Sequence, residues 1–131
     1  MKIDKEIIQD LRRYFNADII GSYTFVELGL LSKVDDIDFC TPSGNIDNFL
    51  KDRGYTVAYR DVYFLDINSK QTLATKYVRE GYIPLHRLYI KRKDIVTDEH
   101  EVLAYKLKRG RLRDLVQVRE IVDNLIKNKN E

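Results

Sequence analysis

Two aspartates separated by one residue, in the run Asp36-Ile37-Asp38-Phe39, form the spacing with the clearest chemical potential in this sequence. In an extended strand successive side chains alternate between faces, so residues two apart project together. Two carboxylates so placed can share one or two Mg²⁺ ions, hard cations that take oxygen ligands and keep substrate phosphates in their shell. Upstream, Ile20-Gly21-Ser22 closes a short apolar run over residues 17–21. Gly21 lets a backbone come close to a ligand. Ser22 and the amides after it open a helix, where free N–H groups and the dipole attract a phosphate. An anion cradle beside a metal platform describes a site for a nucleoside triphosphate.

Elements must hold these groups in place. Ile3, Ile7, Ile8, Leu11 and Phe15 carry the spacing of an amphipathic helix over residues 3–15, with Asn16 as its stop. Residues 17–21 read as a buried strand, and residues 23–31 return to helical spacing with Ser22 at the N-cap. Residues 36–40 read as a strand ended by Pro42-Ser43-Gly44, and residues 46–50 as a short helix closed by Gly54. Two β-rich segments, 55–59 and 62–67, are predicted to meet at a hairpin or tight turn at Arg60-Asp61. Residues 82–90 are β-prone, and Pro84 either places that strand at an edge or confines it to the residues after the proline. From Asp98 onward two helical stretches flank Gly110.

Composition sets the frame. A chain of 131 residues and 15.5 kDa makes one domain, and folding at this length buries roughly two-thirds of the unfolded chain's surface. With 44% hydrophobic and 34% charged residues, collagen-like, low-complexity and disordered classes are excluded. A lone Cys40 excludes a disulfide framework and a cysteine-based zinc cluster. No apolar run approaches the ~20 residues of a membrane span, and the N-terminus lacks a signal-peptide core, so a cytoplasmic protein with no membrane partner is expected. Residues 1–66 carry 8 Lys/Arg against 12 Asp/Glu and residues 67–131 carry 15 against 9, a balance of −4 beside +6 within a net charge of +2. That asymmetry suits a metal site facing a polyanion, and many small domains carry it without one.

A hydrophobic residue, Gly-Ser, nine to thirteen residues and then Asp-hydrophobic-Asp-hydrophobic resembles the signature of the DNA polymerase beta-like nucleotidyltransferase superfamily. Here Ile20-Gly21-Ser22 is followed by thirteen residues and Asp36-Ile37-Asp38-Phe39. The resemblance implies an α+β nucleotidyltransferase-like fold: a small mixed β-sheet flanked by helices, with a C-terminal helical pair. It would fill residues 1–131 as a single domain, with a sheet-containing core at 1–97 and the helices at 98–131. The implied activity is transfer of NMP from an NTP to a hydroxyl, dependent on Mg²⁺ or Mn²⁺. The family uses a third carboxylate on a neighbouring strand, as metal ligand and to activate the attacking hydroxyl. Asp66, flanked by Leu65 and Ile67, is the candidate, and Asp61 at the presumed turn the alternative.

The stretch EVLAYKLKRGRLRDLVQVREIV resembles the tail of AbiEii-type (type IV abortive-infection) toxin nucleotidyltransferases, through Lys106, Arg111, Arg113 and Asp114; Gly29 suits the same branch. The resemblance implies Lys106 as the triphosphate contact beside Gly21 and Ser22, and Asp114 as a residue holding Lys106 or capping the last helix. Together the two resemblances cover roughly residues 17–67 and 98–122. Where many members carry Ser or Thr before the acidic pair and an Arg earlier, this chain has Val34-Asp35 and Ser32-Lys33. The acceptor expected is RNA, such as a tRNA 3′ end, or a protein side chain; the basic half favours RNA. The implied setting is a toxin with an antitoxin partner. Two other readings stand beside it. One is a nucleotidyltransferase-like protein that binds a nucleotide or partner without catalysis. The other is a nucleic-acid module on the basic C-terminal helices, with the acidic motif incidental. His86 and His100 lack ligand spacing and read as surface or loop residues, Cys40 as a buried small hydrophobe. Tyr82, Tyr89 and Lys91-Arg92-Lys93 read as a solvated run or as a stacking surface for single-stranded RNA.

Overall fold

The first helix forms where the sequence places its caps. In the computed structural model, which describes residues 1–42, 44–65, 71–95 and 98–129, α1 spans Lys5–Phe15. The Asp4 carboxylate accepts from the Ile7 amide at 3.1 Å, and Asn16 ends the helix in the left-handed region at φ 51°. Ile7, Ile8 and Leu11 are its buried face. Strand β1 (Asp18–Ile20) follows, then α2 (Tyr23–Glu27), β2 (Ile37–Cys40), α3 (Ile46–Lys51), β3 (Thr56–Leu65), β4 (Gln71–Val78), β5 (Leu85–Leu88), α4 (Glu99–Arg109) and α5 (Leu112–Lys129), with a single 3₁₀ turn at Arg92–Asp94.

The five strands make one mixed sheet in the order β1-β2-β5-β4-β3, so the architecture is α+β with a C-terminal helical pair. β2 and β5 run parallel and the other pairs antiparallel. The alternation of side chains sorts the two faces. Ile19, Ile37, Phe39, Leu85 and Tyr77 point into the main core, where Ile7, Leu11, Leu50 and Tyr55 close over them. Each such Ile, Leu or Phe contributes about 1.5–3 kcal/mol by leaving water. The intervening residues put Ile20, Asp38, His86, Lys76 and Tyr59 in one row across the opposite face, in register from β1 to β3.

Three expectations change. The helix expected over 23–31 stops at Glu27 because Gly29 turns to φ 74°, with the Leu30 amide bonding back to the Phe25 carbonyl at 2.9 Å. No turn divides residues 55–65. Arg60-Asp61 lies inside the continuous strand β3, whose register shifts on either side of Tyr59 while Asp61 takes φ 53°. This is a bulged strand, which uses the same irregular residues as a turn but keeps the chain direction. β4 is an element the sequence reading leaves without assignment. Of the two readings of Pro84, the structure has the second: the strand is confined to the residues after the proline, Leu85–Leu88, and lies inside the sheet. Among the described residues no helix is long and apolar enough to cross a membrane.

Candidate functional site: a cleft between the sheet and the C-terminal helices

Asp38 sits at the second position of β2, on the face away from the main core, and Asp36 immediately precedes that strand. Both line one cleft together with Ser22, His86 and Lys106. Gly21 directly follows β1 beside them. With φ at 71°, a Cβ there would stand 2.8 Å from Asp38 Oδ2, so the backbone-to-carboxylate approach needs glycine on two counts. The acids are engaged. Asp38 Oδ1 lies 3.1 Å from His86 Nδ1, and Asp36 Oδ1 lies 3.4 Å from Lys76 Nζ.

The cationic wall comes from the last two helices. α4 begins at Asp98, whose carboxylate accepts from the amides of His100 and Glu101 at 2.8 and 3.1 Å, and it ends at Gly110 in the left-handed region. α5 docks through residues on one face. Gln117 reaches Ser22, Glu120 takes the Ser32 amide at 2.6 Å, and Asn124 donates to the Leu30 carbonyl at 2.8 Å. This packing buries Lys106, whose Nζ donates to Ser22 Oγ at 2.5 Å and Gln117 Oε1 at 2.8 Å. Burial lowers the Lys106 pKa, opposed by the charge of Asp114.

Asp114 is 1% exposed. Arg109 and Arg111 each grip it with two hydrogen bonds, at 2.6 and 2.9 Å and at 2.8 and 3.2 Å. Burial works to raise its pKa, but the bonds from Arg111 and Arg109 prevail and hold the carboxyl well below the usual range. Lys106 Nζ stands 4.0 Å away. Asp114 therefore holds two arginines and supports Lys106 at the rim, rather than capping α5.

The cleft has two adjoining hollows. One is charged, with Asp35, Asp36, His86, Arg111 and Arg113 among its walls. The other is largely apolar, with Phe64, Leu65, Leu88, Val102 and Tyr105, and has Asp94 at its margin. Gly21 lies in the apolar wall, while Ser22, Asp38 and Lys106 border both. The structure thus brings Gly21, Ser22, Asp36, Asp38 and Lys106 to one place. Asp66, the expected third acid, lies outside the described residues; Phe64 and Leu65, which precede it, line the cleft. Asp61 sits across the sheet, 3.4 Å from Thr75 Oγ1.

Ser22 differs from expectation in how it acts. It stands at the N-cap of α2, but its own φ and ψ are helical and its side chain makes no cap bond. A five-residue helix sums few peptide dipoles, so positive charge here comes from Lys106 and the arginines. Sequence reasoning missed His86. Its ring stacks on Phe64, and its Nε2 lies 2.7 Å from the Tyr59 hydroxyl. Burial and then the charges of Asp36 and Asp38 raise the Tyr59 pKa.

Among the described residues no three His, Cys, Asp or Glu side chains cluster as a metal site. The donor chemistry of Asp36 and Asp38 nevertheless suits a hard divalent cation: both are carboxylates lining one cleft, where Asp38 faces His86 and Asp36 faces Lys76. Compared with protein families, curated proteins and solved structures, the chain matches none.

Proposed function

We propose that this cleft binds a nucleoside triphosphate with Mg²⁺ and transfers its nucleotidyl group to a hydroxyl, in the manner of a minimal nucleotidyltransferase. One observation carries the reading. Gly21 and Ser22, the Asp36–Asp38 pair and the buried Lys106, the last from a distant part of the sequence, border one cleft with a charged and an apolar hollow. Lys106 and Ser22 hold the triphosphate, a point charge and a hydroxyl suited to phosphate oxygens. The arginines fixed by Asp114 keep the local field positive without moving on binding. Phe64 and Tyr105 offer faces for the base in the apolar hollow.

Asp36 and Asp38 would hold the Mg²⁺, which when bound supplies charge neutralisation at the phosphates and polarises the reacting phosphoryl group. The acceptor hydroxyl approaches the α-phosphorus from the side opposite the leaving pyrophosphate. Its proton needs a base, for which Asp66 is the candidate from sequence. The basic second half, +6 over residues 67–131 by 15 Lys/Arg against 9 Asp/Glu, makes RNA the favoured acceptor. A toxin paired with an antitoxin is the setting the sequence resemblance suggests. Incubation with α-labelled NTPs, Mg²⁺ and total tRNA tests the activity: label should pass to RNA with the wild-type chain and not with Asp38→Asn. Absence of label on any acceptor overturns the transfer reading.

A second reading, nucleotide binding without transfer, is favoured by one observation. The residue in register beside Asp38 on β5 is His86 rather than a carboxylate. Mg²⁺-dependent NTP binding with no turnover selects it.

A further inference from the structure

The same cleft holds an unbroken hydrogen-bonded chain from Asp38 through His86 to Tyr59. A carboxylate only accepts, so the His86 Nδ1 that faces Asp38 Oδ1 carries the hydrogen. In the neutral ring Nε2 is then an acceptor, and the Tyr59 hydroxyl donates to it over 2.7 Å. Phe64 stacked on the imidazole, with ring centroids 5.6 Å apart, fixes its plane. The result is a hydroxyl aimed at an oriented base that is itself held by a carboxylate, the arrangement that activates a nucleophile.

The backbone is shaped to deliver this hydroxyl. Tyr59 lies between two register irregularities in β3, where bulges re-aim a side chain. Its ring crosses the row position of Lys76 to reach His86, two strands away. Tyr59 and the Asp36–Asp38 pair line the same hollow. Across the sheet the order runs from Gly21 and Ser22 at the β1 end, through Asp38 on β2 and His86 on β5, to Tyr59 on β3. Tyr59 thus stands at the far end of this row from Ser22, in the hollow that Ser22 and Lys106 also line.

We propose, resting on the nucleotidyltransferase reading above, that Tyr59 is a self-modification site: its hydroxyl takes the NMP group from the NTP bound in this cleft. Tyr59 Oη bonds to the α-phosphorus while the bridging bond from the α-phosphorus to the β-phosphate oxygen breaks. That oxygen leaves with the bonding electrons as part of pyrophosphate, and the phenolic proton passes to His86 Nε2 and on to water. The products are a tyrosyl phosphodiester and pyrophosphate, with no change in oxidation state. A tyrosine is a phenol at neutral pH, so attack needs the proton acceptor that His86 provides. With the nucleotide attached to Tyr59, the acceptor side of the cleft is filled.

The full chain incubated with α-labelled NTPs and Mg²⁺, without any acceptor, should become covalently labelled. The label should survive acid, as a tyrosyl diester does and a histidyl phosphoramidate does not, and mass spectrometry of peptides should place it on Tyr59. Tyr59→Phe keeps the ring against His86 and should lose the label, with circular dichroism reporting an unchanged fold. His86→Gln should slow labelling by about a hundredfold, the usual scale of a positioned base. NTP binding by calorimetry is measured on the same preparation. Binding, or transfer to RNA, without label on Tyr59 overturns this inference alone, as does label that persists in Tyr59→Phe. Neither binding nor label overturns the inference and the nucleotidyltransferase reading together.

Discussion

Gly21 and Asp38 meet so closely that a methyl group on the glycine would lie 2.8 Å from the Asp38 Oδ2 oxygen. β1 and β2 are neighbouring antiparallel strands in which Ile20 pairs with Asp38, and the chain turns away at Gly21, directly after β1. The contact joins the two halves of the motif, Gly-Ser and Asp-x-Asp, into one wall. It also makes residue 21 a sensitive probe of that wall.

Gly21→Ala should therefore act twice. A left-handed conformation costs a non-glycine residue about 1–3 kcal/mol, and the added carbon must push the Asp38 carboxylate aside. A lowered urea midpoint and loss of NTP binding are expected, the binding loss exceeding what the shift in folded population explains.

Lys106→Met separates charge from packing. The thioether keeps most of the buried stem, and Ser22 and Gln117 retain their mutual bond of 3.3 Å. A stability loss of about 1–3 kcal/mol is expected, because Ser22 and Gln117 lose a charged donor while Asp114 keeps both arginines. NTP affinity should fall by about tenfold or more, the loss of one charge-assisted bond to phosphate.

Asp114→Asn should weaken the fold by about 2 kcal/mol, because Arg109 and Arg111 lose a charged acceptor. The pH dependence has a definite sign. The folded carboxyl titrates below the unfolded one, so its stabilisation is complete above the ordinary Asp range and is lost as pH falls from about 4. Urea midpoints taken from pH 6 to pH 3 should fall more steeply for the wild type than for Asp114→Asn.

Much of the fold was legible because its signals are local. Asp4 and Asn16 bracket α1, Gly110 divides α4 from α5, and the alternation around Asp38 marks β2; each depends on residues a few positions apart. The bulge at Arg60-Asp61 reads as a turn in the sequence because both use the same unfavourable backbone region, and only the pairing with β4 tells them apart. His86 carries no local pattern. Its partners Tyr59 and Asp38 lie 27 and 48 residues away and meet it only through strand order. The Ser22–Lys106 contact spans 84 residues, and the sequence points to Lys106 only through the resemblance of the C-terminal stretch.

Titration of the protein with each NTP by calorimetry, with and without Mg²⁺, is the decisive measurement, run in parallel on Asp38→Asn. Binding that requires Mg²⁺ in the wild type and is lost in the variant is the result this structure leads us to expect. No binding of any NTP, or binding indifferent to both Mg²⁺ and Asp38, would contradict the assignment of this cleft to a metal-bound nucleotide.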